Sequence, residues 1–355
     1  MGTHILDAMA REGFEEVIAL HDRASGLRAF LGIHDTLRGP AFGGIRRWGY
    51  LDERQALIDC LRLSRAMTHK CALADLPAGG GKLVVLDDPD LDLELAYTAI
   101  GRAVERLGGR FYTGPDVGTG EAELEYACAQ TRYVTSPGPA GPGQLADATA
   151  EGVFQGMASG LRHLDGEEDW ERRTVVIQGL GEVGARLAKR LTQRGARVFG
   201  AEIDPDRAAE VASELNIELV DPATETSLPC DVFAPCAMGG IVHDVTLERL
   251  RCRLVAGAAN NVLARALHGD RLHERQILYA PDFLLNSGAL IRGALFHLEG
   301  RREPVDKIGE RIGRAMDTIF ARAAEEDLPP ARVAIREAED RISRWRGEGR
   351  PEAVR

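Results

Sequence analysis

TVVIQGLGEVGARLAKRLTQRGARVFGAEID, residues 174–204, passes from a β-branched apolar run through a glycine turn into an amphipathic stretch, then back to an apolar run. Strand, helix and strand in that order make a βαβ unit. Gly179-x-Gly181-x-x-Gly184 ends the first strand and opens the helix. In that setting the first glycine permits a tight turn, the second lets the backbone approach a pyrophosphate, and the third lets helix and strand pack closely. Glu182 and Val183 sit in the first helical turn, where free N–H groups and a partial positive charge face a phosphate. Glu202 closes the second strand. A carboxylate there accepts hydrogen bonds from ribose hydroxyls and repels a 2′-phosphate, which favours NAD. Asp204 is a second candidate for that role, and nearby Arg207 leaves NADP open. The competing reading of the glycines is tight packing in a sheet that binds no nucleotide.

The pattern extends in both directions. IELV (217–220), DVFAPC (231–236), RLVAGAA (253–259) and QILYAP (276–281) read as strands separated by helical segments, so a parallel sheet covered by helices is expected. ATAEGVFQGMASGLRHL (148–164) reads as a helix, preceded by SPGPAGPG (136–143), which cannot be regular structure. Upstream, LRAFLGIHD (27–35) and GKLVVLDD (81–88) read as strands. DERQALIDCLRLSRAMTHKCA (52–72) and LELAYTAIGRAVERLGG (93–109) read as helices. Beyond Pro281 one long helical stretch is expected to about Ala324, then another over 329–345, and a frayed end over 346–355. The fold class is α/β with two domains.

Composition excludes several functions. A net charge of −11 argues against a nucleic-acid partner. No apolar run is long enough to span a membrane, and the first residues lack the basic-then-apolar pattern of a signal peptide. The six cysteines, at 60, 71, 128, 230, 236 and 252, form no C-x-x-C pair, so reduced thiols and a cytoplasmic location are expected. The histidines are scattered, and no metal site is expected.

Lys82 follows Gly79-Gly80-Gly81, a run that signals close backbone approach or an unusual turn. A lysine held there can be poorly hydrated, and burial or a neighbouring cation such as Lys70 makes an amine a usable base near neutrality. Lys70 would pair with a substrate carboxylate at the same time. Each lysine alone reads equally as a surface charge. Asp116, among Pro and Gly in TGPDVGTG, reads as a catalytic carboxylate, a turn-former or a helix cap.

Taken together, GPAFGGIRRW (39–48), MTHKCALADLPAGGGK (67–82), TGPDVGTG (113–120), QGLGEVG (178–184), DVFAPCAMGGIV (231–242), GAANNVLA (257–264) and YAPDFLLNSG (279–288) resemble the glutamate/leucine/phenylalanine/valine dehydrogenase family, above all its leucine and phenylalanine members. The resemblance implies NAD-dependent, reversible oxidative deamination of an apolar L-amino acid to a 2-oxo acid and ammonia. It makes Lys82 and Asp116 the catalytic pair and Lys70 the carboxylate-binding lysine. Asn286 is placed near that carboxylate, and Gly43 and Gly44 line the cleft. Phe42, Gly114, Leu290 and Gly293 form the side-chain pocket, while Arg292 points elsewhere on its helix. Thr149, Ala237 and Asn260 join the cofactor site. The resemblance also implies a substrate-binding and oligomerisation domain over 1–137, with 328–355 returning to it. A Rossmann domain takes 138–327, and the protein is expected to be a homo-oligomer. The chain departs from the family pattern at LADATA (145–150), Asp75, Ala289 and Arg292, which bears on substrate choice. The alternatives are a glutamate dehydrogenase, which needs a cation for the side-chain carboxylate, and a non-catalytic NAD-binding protein.

Overall fold

The computed structural model describes residues 5–348 apart from 136, 137 and 139. The expected domain break at 137/138 falls on residues not all described, as do the expected frayed residues after 348; at 346–348 the expected fraying is not found, because helix Pro330–Glu348 runs through them. The chain forms two compact units. One takes Met1–Gly143, Gly293–Arg302 and Ala338–Arg355; the other takes Gln144–Arg292 and Glu303–Glu337. The returning segments therefore differ from the expected 328–355: Gly293–Arg302 joins the first unit, and residues 328–337 stay with the second. The reason is that Gly288–Glu299 and Pro330–Glu348 are single helices, each of which changes unit partway along its length.

In the first unit, Leu27–Asp35 lies antiparallel to Glu16–Asp22 on one side and to Gly79–Leu86 on the other. Ala41–Phe42 and Ile45–Trp48 run parallel to Gly79–Leu86, and Phe111–Tyr112 runs parallel to Ala41–Phe42. Gly79–Leu86 is buried along its whole length, which is why it reads as an unbroken apolar run. Its period of two divides it between two layers. Leu83 and Val85 pack with Tyr97, Ile100 and Val104 of helix Leu93–Arg106. Val84 and Leu86 pack with Ala56, Cys60 and Leu63 of helix Glu53–Leu73. Both helices begin on an aspartate cap, Asp52 accepting from the Gln55 amide and Asp92 from that of Leu95.

The second unit holds a wholly parallel sheet. Its spatial order is Glu218–Leu219, Arg197–Ala201, Thr174–Gln178, Val232–Pro235, Leu254–Val255, Leu278–Tyr279. Counted along the chain this is 3-2-1-4-5-6, and the order reverses between Thr174–Gln178 and Val232–Pro235, where such sheets bind dinucleotides. The long helix expected from Pro281 to Ala324 is instead three: Asp282–Leu285, Gly288–Glu299 and Val305–Glu326. Gly300 turns left-handed at φ +66°, and Pro304 brings no amide to continue a helix. None of the described helices is long and apolar enough to cross a membrane.

Candidate functional site

Lys82 shares its strand face with Val84 and Leu86, so its side chain leaves the sheet on the side of helix Glu53–Leu73. It is 5% exposed, a burial that a lysine tolerates only with a partner. That partner is Asp116, whose Oδ2 lies 2.6 Å from Lys82 Nζ. Arg46 Nε reaches the same oxygen at 3.2 Å, and its Nη1 reaches Asp59 Oδ2 at 3.2 Å. Asp59 also accepts from Tyr50 Oη at 2.7 Å and from Arg62 at 2.7 Å. Burial alone would raise the Asp116 carboxyl; Lys82 and Arg46 outweigh it and hold the group down at about 2. Asp116 is thus an ionised carboxylate that also opens a tight turn, its carbonyl accepting from the Thr119 amide at 3.0 Å. Lys82 thus has a carboxylate as its ion-pair partner. Lys70 stands in the last turn of helix Glu53–Leu73.

The glycines hold this arrangement in place. A Cβ on Gly43 would lie 1.7 Å from the Gly81 carbonyl oxygen, and one on Gly44 would lie 2.5 Å from the Pro115 oxygen and 2.9 Å from Asp116 Cβ. Gly80 presses on the Thr68 backbone, two residues from Lys70. The run Gly79–Gly81 is not a turn but the start of the strand, thinned so that neighbouring backbones can close on it. Asp75 takes a left-handed φ of +49°, a conformation asparagine or glycine adopts more readily, which accounts for the small or amide residue that the family pattern favours there; nothing in the structure explains the aspartate.

Among the side-chain pocket candidates, Phe42 stacks on Tyr112 with centroids 4.9 Å apart. A Cβ at Gly114 would meet Thr135, and one at Gly293 would meet open space. Leu290, half-buried, belongs to the second unit, as does Asn286. There Asn286 Nδ2 donates to the Ala258 carbonyl at 3.1 Å and to Asn260 Oδ1 at 2.8 Å, so the two asparagines are tied to each other. Arg292 donates to the Glu303 carbonyl.

At the sheet's reversal point, Gly179 turns with φ +91°. A Cβ on Gly184 would fall 1.9 Å from the Gly179 carbonyl oxygen, whereas one on Gly181 would meet nothing within 4 Å. Turn, close packing and open approach are thus divided among the three glycines. Ala237, just past the neighbouring strand, is the residue a Cβ on Gly179 would strike, at 2.6 Å. Glu202, its side chain 6% exposed, accepts from the amides of Leu180 at 2.9 Å, Ile203 at 2.9 Å and Asp204 at 3.1 Å. These bonds fix the carboxylate at the strand end. Asp204, the second candidate, caps helix Pro205–Leu215. Glu182 is exposed and pairs with Arg186, and Val183 is half-buried. Thr149 Oγ1 donates to the Leu145 carbonyl and accepts from the Ala289 amide. These features fit a dinucleotide: an open backbone at Gly181 above a helix N-terminus, with an oriented carboxylate beside it. All six cysteines are free, and among the described residues no cluster of His, Cys, Asp and Glu could hold a metal ion.

Sequence reading missed Arg46, Asp59 and Tyr50, although Arg46 lies in GPAFGGIRRW two residues after Gly44. It also missed Thr135 and His297; the latter sits one helical turn beyond Gly293.

Residues 15–133 match the Glu/Leu/Phe/Val dehydrogenase dimerisation domain, and 141–206 and 204–327 match Glutamate/Leucine/Phenylalanine/Valine dehydrogenase. The chain is 39% identical over 345 residues to leucine dehydrogenase of Thermoactinomyces intermedius, covering 96% of this chain and 94% of that one. It is 40% identical over 347 residues to the phenylalanine dehydrogenase of the same organism, with coverage of 96% and 94%. The crystal structure of L-tryptophan dehydrogenase from Nostoc punctiforme superposes with a TM-score of 0.84 at 35% identity, covering 96% of this chain and 99% of that one.

Proposed function

We infer that this chain, which belongs to the glutamate/leucine/phenylalanine/valine dehydrogenase family, carries the acid–base chemistry of its reaction on Lys82 and Asp116. The protein is a nicotinamide-dependent amino-acid dehydrogenase that oxidatively deaminates an apolar L-amino acid. The observation that carries the assignment is the buried Lys82–Asp116 pair at 2.6 Å. A buried ion pair gives little net stability against an apolar replacement, so keeping one beside a second cation fits a catalytic use better than a structural one.

A bound nicotinamide supplies a hydride acceptor for the α-hydrogen. Lys70 takes the substrate α-carboxylate. Lys82 withdraws a proton from the water that adds to the iminium carbon, and in its cationic form stabilises the oxygen as charge develops there. Asp116, held as a carboxylate, carries protons to and from the amine nitrogen until ammonia leaves. Amino acid, water and oxidised nicotinamide give 2-oxo acid, ammonium, reduced nicotinamide and a proton. The orientation of Glu202 supports NAD over NADP. The match of residues 15–133 to a dimerisation domain supports a homo-oligomer, and the six free thiols support a cytoplasmic setting.

The test is formation of reduced nicotinamide from NAD+ and each L-amino acid in turn, beside Lys82→Ala and Asp116→Asn. Turnover of apolar amino acids that both variants lose is expected. Undiminished turnover in folded Lys82→Ala removes the assignment.

A further inference from the structure

We propose that His297, with Thr135, forms a polar end to the amino-acid side-chain pocket and selects aromatic substrates that carry a ring hydrogen-bond donor, an indole N–H or a phenol O–H, over purely hydrocarbon side chains. The proposal rests on the reading above, in which Lys82 and Asp116 mark where the α-carbon reacts.

A chain of short contacts within one unit leads from that pair to His297. Gly114 is two residues from Asp116, and a Cβ there would sit 3.1 Å from Thr135 Oγ1. Thr135 Oγ1 in turn lies 3.1 Å from His297 Nε2. His297 belongs to helix Gly288–Glu299, four residues past Gly293 and so on the same helix face. Gly293 is buried, yet a Cβ on it would find open space. Gly114 lets Thr135 close in beside the reacting residues, and the missing side chain at Gly293 leaves room about one helical turn, or 5.4 Å, from the imidazole along the same helix.

The walls suit a flat ring. Phe42 and Tyr112 are stacked with an interplanar angle of 4°. Tyr112 lies 5.1 Å from the His297 ring, and Tyr133 packs edge-on against Tyr112 at 5.2 Å. Such a surface pairs with an incoming aromatic by offset or edge contacts.

Burial holds His297 down to about 4, so the ring is neutral at pH 7. A neutral imidazole has one donor and one acceptor nitrogen. Thr135, whose hydroxyl can turn to donate or accept, engages Nε2, and Nδ1 has no hydrogen-bond partner among the described residues. When Thr135 accepts from Nε2–H, Nδ1 is an acceptor and takes a substrate N–H or O–H. A hydrocarbon ring leaves that acceptor unanswered in an apolar pocket, which is the situation in which a site discriminates strongly.

The experiment measures kcat/KM for L-tryptophan, L-tyrosine, L-phenylalanine and L-leucine with NAD+ in wild type, His297→Leu, His297→Gln and Thr135→Val, each checked for fold by its thermal unfolding midpoint. In wild type, the better of tryptophan and tyrosine should exceed phenylalanine by about tenfold, the worth of one good hydrogen bond. His297→Leu should erase or invert that ratio, and His297→Gln should retain part of it. A wild type that prefers phenylalanine to both, or a ratio unchanged in His297→Leu, overturns the proposal. These results leave the deaminase reading intact, because phenylalanine or leucine still turns over. Failure of that reading looks different: wild type would turn over none of the four.

Discussion

Gly44→Ala tests whether backbone crowding holds the reactive pair in register. The added Cβ would stand 2.5 Å from the Pro115 oxygen and 2.9 Å from Asp116 Cβ. Ordinary contacts of this kind lie at about 3.5 Å, so one backbone must retreat by roughly 1 Å. The partners are joined, since Ile45 donates to the Gly114 carbonyl at 2.9 Å and Leu83 donates to the Gly44 carbonyl at 3.3 Å. The retreat therefore falls on Asp116, and its 2.6 Å contact with Lys82 opens. A misplacement of about 1 Å costs on the order of 10²-fold in rate, near 2.7 kcal/mol of barrier. Overpacking costs about 1–3 kcal/mol in stability. The assay is kcat/KM for the best amino acid together with urea unfolding, run beside Gly49→Ala, where a Cβ meets nothing within 4 Å. We expect Gly44→Ala to fold and to lose about a hundredfold in kcat/KM, with Gly49→Ala near wild type. A folded Gly44→Ala with at least half of wild-type kcat/KM would refute the reasoning.

Three further outcomes are expected. Arg46→Gln removes one of the two cations that depress Asp116 from its ordinary value to about 2, so the carboxyl should rise by roughly 1–3 units and carry the acid limb of the pH–rate profile with it. The sign for stability follows: a depressed carboxyl contributes fully above its unfolded value near 3.8 and loses that contribution as pH falls through about 2. Arg46→Gln should therefore unfold at a higher pH than wild type on acidification, and an unmoved acid limb counts against Arg46 as a positioning residue. Glu202→Gln drops the negative charge and keeps one acceptor oxygen for the backbone amides that both carboxylate oxygens now take, so kcat/KM with NADP should rise at least about tenfold relative to NAD; a wild type already indifferent to the 2′-phosphate contradicts this. Burial pushes the thiols of Cys60, Cys71 and Cys252 up to about 12, so in the native protein these three should react with a disulfide reagent only on unfolding. Fast labelling of any of them, read by mass spectrometry, shows that burial does not protect it.

Local patterns read well where the interaction is local. The strand–glycine–helix–strand run of 174–204 was legible because turn, packing and helix start all act within a few residues. Leu27–Asp35 was legible because a buried strand must be apolar. The break at Gly300–Pro304 was passed over because helical periodicity on both sides masked a single left-handed glycine. Lys82 and Asp116 were legible as candidates but not as a pair, since 34 positions separate them in the chain.

The sequence by itself determined the βαβ nucleotide fingerprint and the parallel sheet it belongs to, because these depend on periodicity and on side chains near one another in the chain; the candidate deamination residues came from the family resemblance of whole motifs. Only the tertiary structure decided that Lys82 meets Asp116, that Arg46 shares that carboxylate, that Gly44 lets Asp116 come close, and that His297 stands one turn beyond an empty Gly293. Charge, burial and steric exclusion act through space, and the distances on which they depend are set only when strands far apart in the chain are laid side by side.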